Sequence, residues 1–346
     1  MPLALPTPQR GAAITPIAFV RALVAGYDKY GVPSANLLER AGITPADLQS
    51  PSARITGRQM ELVSEVAMRE LDDEALGWFS TRLRWGSYGM LLRASLSAPR
   101  IGLALARFFR HHRLLIDDLV LKLEVKGGRA TVSLIENQGA PIAAAMRSFC
   151  LLSYLRLIHG YACWMVDSHI HLQRVTLPFA QPEDATVYPI LFSRVVEFGA
   201  RVASFSFDAA LLDLPQVRDD DALRQMLRRP LILSLRPYRR DRLIINRVRK
   251  LLKDDPRRFD SALAVAEHLS ISVRTLHRHF AEHDASFYQL KDEVRRDLAL
   301  DLLHGTNKSI KQIALSLGFA NEKSFYRTFL KWTGDPPGKI RQRELL

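Results

Sequence analysis

Residues 309–341 read SIKQIALSLGFANEKSFYRTFLKWTGDPPGKIR, and this stretch decides the fold of the C-terminal part. Ile310, Ile313, Ala314 and Leu317 recur at helical spacing, which gives a first helix one apolar stripe. Gly318 ends that helix, as the residue type that takes positive φ at least cost. Asn321 has the side chain of an N-cap and opens a second helix. There Phe325 and Phe329 stand four apart and face inward. The outward positions carry Glu322, Lys323, Tyr326 and Arg327, all able to donate or accept hydrogen bonds. Pro336 and Pro337 stop the chain and start one last short helix. A helix-turn-helix that buries one face and presents a polar, basic second helix suits a DNA major groove. An amphipathic hairpin with solvated charge gives the same local pattern.

The pattern occurs twice. Residues 261–283, SALAVAEHLSISVRTLHRHFAEH, repeat it. Ala266, Leu269 and Ile271 correspond to Ala314, Leu317 and Phe319 at an offset of 48. Leu276, Arg278 and Phe280 correspond to Phe325, Arg327 and Phe329 at an offset of 49. The turn therefore differs by one residue while both helices keep their inward positions. Ser272 is the N-cap of this second recognition helix, whose outward face offers Arg274, His277 and Arg278. Between the two units, residues 286–303 place Phe287, Leu290, Val294, Leu298 and Leu302 inward. Eighteen helical residues span roughly 27 Å, approaching the ~34 Å of one DNA turn. One rigid helix of that length sets two recognition helices into successive major-groove segments on one DNA face. The repeat is what favours DNA binding over a solvated hairpin.

The later motif resembles the C-terminal signature of the AraC/XylS family of bacterial transcription regulators. The matching residues are Ile313, Ala314, Leu317, Gly318, Phe319, Phe325, Arg327, Phe329, Gly334, Pro337 and Arg341. The resemblance implies base or phosphate contacts from Arg278 and Arg327, and groove-facing roles for Arg274, His277, Lys323 and Tyr326. An arginine fork on guanine O6 and N7 is worth about 1–3 kcal/mol of base discrimination. Glu322 either accepts from a cytosine N4 or orients Lys323. Lys308, Ser309 and Lys311 lie at a helix N-terminus, where backbone N–H groups favour a phosphate.

Upstream, residues 1–13 are expected to form a flexible tail. Thr15 and Pro16 start a helix with Phe19, Leu23 and Tyr27 at four-residue spacing. A turn at Gly31 precedes a helix with Leu37, Leu38 and Ala41, and another turn follows at Gly42. A longer helix begins near Thr56 and buries Met60, Val63, Ala67 and Leu71. Two more helical patterns flank Pro99. The period then changes to two: Leu119, Leu121, Leu123 and Val125, a Gly127-Gly128 turn, then Ala130, Val132 and Leu134, which is a β-hairpin. Residues 141–165 read as a central helix, 169–179 and 202–207 as strands, and Tyr188-Pro189 as a bend. The prediction is an α+β domain over 15–212. A linker at 213–237 and an all-α DNA-binding domain at 238–346, opened by a basic helix at 238–253, complete the chain.

The N-terminal region carries a second resemblance. Tyr30-Gly31-Val32-Pro33, Leu37-Leu38, Ala41-Gly42-Ile43, Ala75-Leu76-Gly77, the strand pair near residue 125 and Phe207-Asp208-Ala209-Ala210-Leu211-Leu212 match in order. They are similar to the "arabinose-binding" type N-terminal domain of one branch of AraC-like regulators. That label does not make arabinose the ligand. The domain is expected either to sense a small-molecule effector or to serve only dimerisation or protein contact. Phe19, Tyr27, Trp78, Phe79, Trp85 and Tyr88 are its pocket or core aromatics. Partners expected beside double-stranded DNA are RNA polymerase and a second copy, in an activator.

Charge agrees with this organisation. The 346 residues carry a net +13. Residues 238–346 hold 22 basic and 14 acidic side chains, so +8 of that charge sits in under a third of the chain. Cys150 and Cys163 lie in an apolar helical pattern and read as buried thiols of a cytoplasmic protein, without a disulfide framework. That setting also lacks the polar context of a reactive thiol. His111, His112, His169 and His171 are the metal-like features, the last two on one face of the expected strand. With no Cys or carboxylate at a recognised ligand spacing, no metal is expected. G-x-S-x-G and P-loop motifs are absent. No catalytic residue, cofactor, signal peptide or membrane span is expected.

Overall fold

Strand alternation and glycine turns build the sheet at the heart of the N-terminal unit. The computed structural model describes residues 12–182, 185–192, 196–229, 231, 233, 243–281 and 285–343. Strands β3 (Leu119–Lys126) and β4 (Arg129–Glu136) form the expected hairpin around Gly127 and Gly128, both at positive φ. Leu121 pairs with Leu134, and Leu123 with Val132, so the apolar residues share one face. Strand β7 (Ala203–Asp208) adds to β4, setting Phe205 opposite Val132 and Phe207 opposite Ala130. β5 (Arg174–Thr176) and the two-residue β6 (Val196–Glu197) complete the order β3-β4-β7-β5-β6. A separate pair, β1 (Ala13–Pro16) and β2 (Arg54–Thr56), precedes this sheet.

Among the described residues, seven helices precede β5 in the chain. They are α1 (Ala18–Tyr30), α2 (Ala35–Ala41), α3 (Pro45–Gln49), α4 (Gly57–Glu70), α5 (Ser87–Leu96), α6 (Ile101–Arg113) and α7 (Ala144–Met165). α4 starts on a reciprocal cap: Gln59 N–H donates to Thr56 Oγ1, and Thr56 N–H donates to Gln59 Oε1. α7 is apolar on nearly every face and is the central helix, with Cys150, Tyr154, Leu155 and Cys163 fully buried.

Several expectations fail here. Pro16 lies in β1, so the first helix starts later than Thr15. The strand expected over 169–179 is confined to Arg174–Thr176, and His169 and His171 lie in irregular chain. Tyr188 and Pro189 sit inside a short helix, α8 (Val187–Leu191), where a proline in the first turn loses no helical hydrogen bond. A 3₁₀ turn, Ala209–Asp213, and α9 (Asp220–Met226) follow. Leu223, Met226 and Leu233 join the N-terminal core, so this part of the expected linker packs as part of the first unit. The expected tail up to residue 11, and residues 234–242, lie outside the described residues.

The chain divides into two units, Met1–Arg240 and Asp241–Leu346. The second is all-helical. α10 (Ile244–Asp254) buries Ile244, Val248 and Leu252, and is followed by α11 (Ala262–His268) and α12 (Val273–Ala281). α13 (Phe287–Gly305) leads to α14 (Ile310–Ser316), α15 (Glu322–Thr333) and α16 (Pro337–Arg343). Two apolar clusters divide this unit. One gathers Val265, Leu276, Phe280, Phe287 and Val294; the other gathers Ala299, Leu303, Ile313, Phe325 and Phe329.

The linking helix departs from its expected stripe. Past Val294 the buried positions are Arg295, Ala299 and Leu303, while Leu298 and Leu302 are only half-buried. Leu298 packs against both clusters. The stripe shifts by one residue because the two halves dock on different faces of one helix.

Candidate nucleic-acid interface

Each helix-turn-helix is set by its caps. Ser261 Oγ accepts from Ala264 N–H at 3.2 Å, and Ser272 Oγ from Thr275 N–H at 3.0 Å. In the second unit, Ser309 and Gln312 form a reciprocal cap, and Asn321 Oδ1 accepts from Ser324 N–H at 2.8 Å. Such a cap contributes about 1 kcal/mol and fixes where the helix begins, and so which side chains face out. The turns need a left-handed residue. Gly318 takes φ 77°, and its counterpart Ser270 takes φ 55° despite a side chain.

Outward, α12 presents Arg274, His277 and Arg278, and α15 presents Glu322, Lys323, Tyr326 and Arg327, all exposed. Leu276, Phe280, Phe325 and Phe329 point the opposite way and are at most 1% exposed. Lys308, Ser309 and Lys311 are exposed around the start of α14. Arg341 Nη2 donates to the Lys308 carbonyl at 2.8 Å, tying the last helix to that start. In α10, Arg249 pairs with Glu293 of α13 at 2.9 Å, so one arginine of the basic helix braces the unit.

Arg295 joins the two halves. It is 8% exposed, and its guanidinium stacks over the Phe319 ring at 5.1 Å. Burial holds its pKa below the usual arginine value. Gly318 sits directly beneath it. A Cβ there would lie 2.8 Å from Arg295 Nη2 and 3.2 Å from the Pro256 carbonyl. The turn of the second unit is thus clasped against the loop that leads into the first.

The N-terminal unit holds a cavity of about 270 Å³. Phe19, Trp78, Trp85, Tyr88, Phe149 and Tyr154 line it. Phe149 stacks on Phe19 at 5.3 Å and meets Trp78 edge-on at 5.4 Å. Tyr27 and Phe79, grouped with these aromatics from sequence, are core residues instead. The sequence does not mark Phe149 and Tyr154, because an all-apolar helix gives no sign of which face borders a void.

A carboxylate and a guanidinium share the cavity wall. Glu74 accepts from Gly86 N–H at 2.8 Å and Tyr88 N–H at 2.7 Å, while burial raises its pKa. Arg156 donates to the Leu191 carbonyl, and burial pushes its pKa down to about 10. His112, expected among the metal-like features, instead meets Tyr154 Oη at 3.0 Å, and burial pushes it down to about 4. Among the described residues, no helix is long and apolar enough to cross a membrane.

Two capped helix-turn-helix units on one helix, each with a polar outward face, define a DNA-binding protein. The family described as "Arabinose-binding domain of AraC transcription regulator, N-term" matches residues 31–216, and a "Helix-turn-helix domain" matches residues 265–343. The chain belongs to the AraC-type transcription regulators and is a DNA-binding regulator of transcription. It is 29% identical over 332 residues to the ornithine utilization regulator of Pseudomonas aeruginosa, spanning 96% of this chain and 97% of that one. It is 35% identical over 80 residues to the transcriptional activator RhaS of Escherichia fergusonii, spanning 23% of this chain and 29% of that one. The crystal structure of the regulator CdpR from Pseudomonas aeruginosa aligns over 94% of this chain and 98% of that one, at 21% identity and a TM-score of 0.35.

Proposed function

We propose that the chain is a ligand-responsive regulator that reads two successive major-groove segments. The observation that carries ligand response is the aromatic cavity of about 270 Å³ inside the N-terminal unit. Pockets of this make-up, mostly apolar with a few polar groups, are the usual form of small-molecule sites. The wall suits a small molecule with an apolar body better than a sugar, which needs a hydrogen-bond partner for each hydroxyl. A ligand shifts the regulator only by binding one arrangement better, and a coupling of about 1–3 kcal/mol suffices.

On the DNA side, Arg278 and Arg327 make base contacts from equivalent positions of α12 and α15. Arg274, His277, Glu322, Lys323 and Tyr326 face the groove around them, and Lys308, Ser309 and Lys311 meet phosphate. RNA polymerase and a second copy of the chain are the protein partners this reading expects.

Arg278→Ala and Arg327→Ala should each weaken specific binding by about 1–3 kcal/mol and relax preference at different base pairs, about one turn apart. Binding-site selection with each variant checks this. If both variants relax the same base pair, the two-headed reading is refuted.

The effector claim is tested by removing residues 1–237. The truncated form should still bind DNA but lose any response to inducer in a reporter assay. Candidate inducers come from genes beside the binding sites. If the full-length protein never responds and truncation removes only self-association, the N-terminal unit is a dimerisation module.

A further inference from the structure

We propose that His159, Cys163 and His169 form a zinc site, with His171 at hand as a fourth ligand. The sequence showed no cysteine at a familiar distance from the two later histidines, and the fold supplies one. His159 and Cys163 stand four apart on α7 and so share a face, one turn apart. Beyond Met165 the chain turns back on itself. Asp167 takes φ 51°, and Ser168 N–H donates to the Cys163 carbonyl at 3.0 Å. This reversal carries His169 against the helix, so that one ligand atom from each of the three residues lies within 4.8 Å of the others. The His169 and His171 rings are 4.6 Å apart, and those of His159 and His169 are 5.6 Å apart.

The surroundings fit a metal-bound thiolate. Ile170 N–H donates to Cys163 Sγ at 3.2 Å, a contact that stabilises negative sulfur. The Ile170 carbonyl accepts from His159 Nε2 at 2.7 Å. This leaves Nδ1 of His159, a residue only 2% exposed, without a hydrogen-bond partner among the described residues. Cys163 Sγ lies 3.4 Å from that same Nε2, so a metal bound to both residues either displaces the Ile170 carbonyl from Nε2 or takes the open Nδ1. A clasp on Ile170 alone accounts for His159 and Cys163, but not for two further imidazoles gathered beside them.

Zn²⁺ takes imidazole and thiolate together in tetrahedral sites, with bonds of about 2.0–2.1 Å to nitrogen and about 2.3 Å to sulfur. The cluster must contract to reach these lengths. His169, half-buried in irregular chain, is the ligand placed to move. Binding forms the Zn–S and Zn–N bonds and releases one proton, that of the Cys163 thiol, to solvent.

The test is a titration of reduced, metal-stripped full-length protein with Co²⁺. One equivalent should produce thiolate-to-cobalt charge-transfer absorption and the strong d–d bands of a tetrahedral site, and Zn²⁺ should displace both. Cys163→Ser should abolish the charge-transfer band, and Cys150→Ser should keep it. His169→Asn, in the irregular chain after α7, should weaken Co²⁺ binding at least tenfold, and it serves as the test if Cys163→Ser does not fold. The assignment is overturned by folded wild-type protein that gives no charge-transfer band. It is also overturned by a band that survives Cys163→Ser, by unchanged Co²⁺ affinity in His169→Asn, or by a site that takes only Cu⁺.

Discussion

The fragment 238–346 should lose about a thousandfold in affinity for duplex DNA between about 50 and about 200 mM salt, as expected for about six neutralised phosphates. Counterions released from the DNA drive such binding, so adding salt opposes it directly. The fragment carries 22 basic against 14 acidic side chains, and its exposed cations include Arg274, Arg278, Lys308, Lys311, Lys323 and Arg327. Fluorescence anisotropy of a labelled duplex across a salt series gives the slope. A flat slope would mean that the basic faces of α12 and α15 are not the docking surface. The same slope for an unrelated duplex would show that it reports phosphates and not bases.

Phe280→Ala and Phe329→Ala should each cost about 3–5 kcal/mol, the range for deleting a fully buried phenylalanine. Phe280 is 1% exposed in the first apolar cluster, and Phe329 is 0% exposed in the second. Because the clusters have no fully buried residue in common, each substitution should loosen its own half first. Denaturant melts of the fragment should fall to lower midpoints, and footprints should lose only the half-site read by the damaged unit. Loss of both half-sites from Phe329→Ala would mean that the two clusters fold as one.

The outward face of each helix-turn-helix was legible because its signals are local. Apolar residues three and four apart mark the buried side of a helix, and Ser261, Ser272, Ser309 and Asn321 mark helix starts, so the outward residues follow. The β3–β4 hairpin was legible for the same reason. What depended on distant pairing was not. Nothing near β7 says that it lies between β4 and β5, and β1 and β2 are too short to show alternation. The histidines after α7 looked like a strand because every second residue is apolar, yet there the chain runs back along the helix in an irregular conformation. The four-residue spacing of His159 and Cys163 was readable as a pair on one helical face. Their third partner required the reversal at Asp167.

The clasp of Arg295 over Phe319 has a consequence for promoters. Two reading heads locked to one shaft act as a calliper with a fixed jaw opening. DNA turns once in about 10–10.5 base pairs, so about five extra pairs between the half-sites would carry the second to the opposite side of the duplex. A hinged protein would follow it; a clasped one cannot. On the proposed two-headed reading, binding sites for this regulator should therefore be free to drift in the bases between the half-sites, but not in the number of base pairs that separates them.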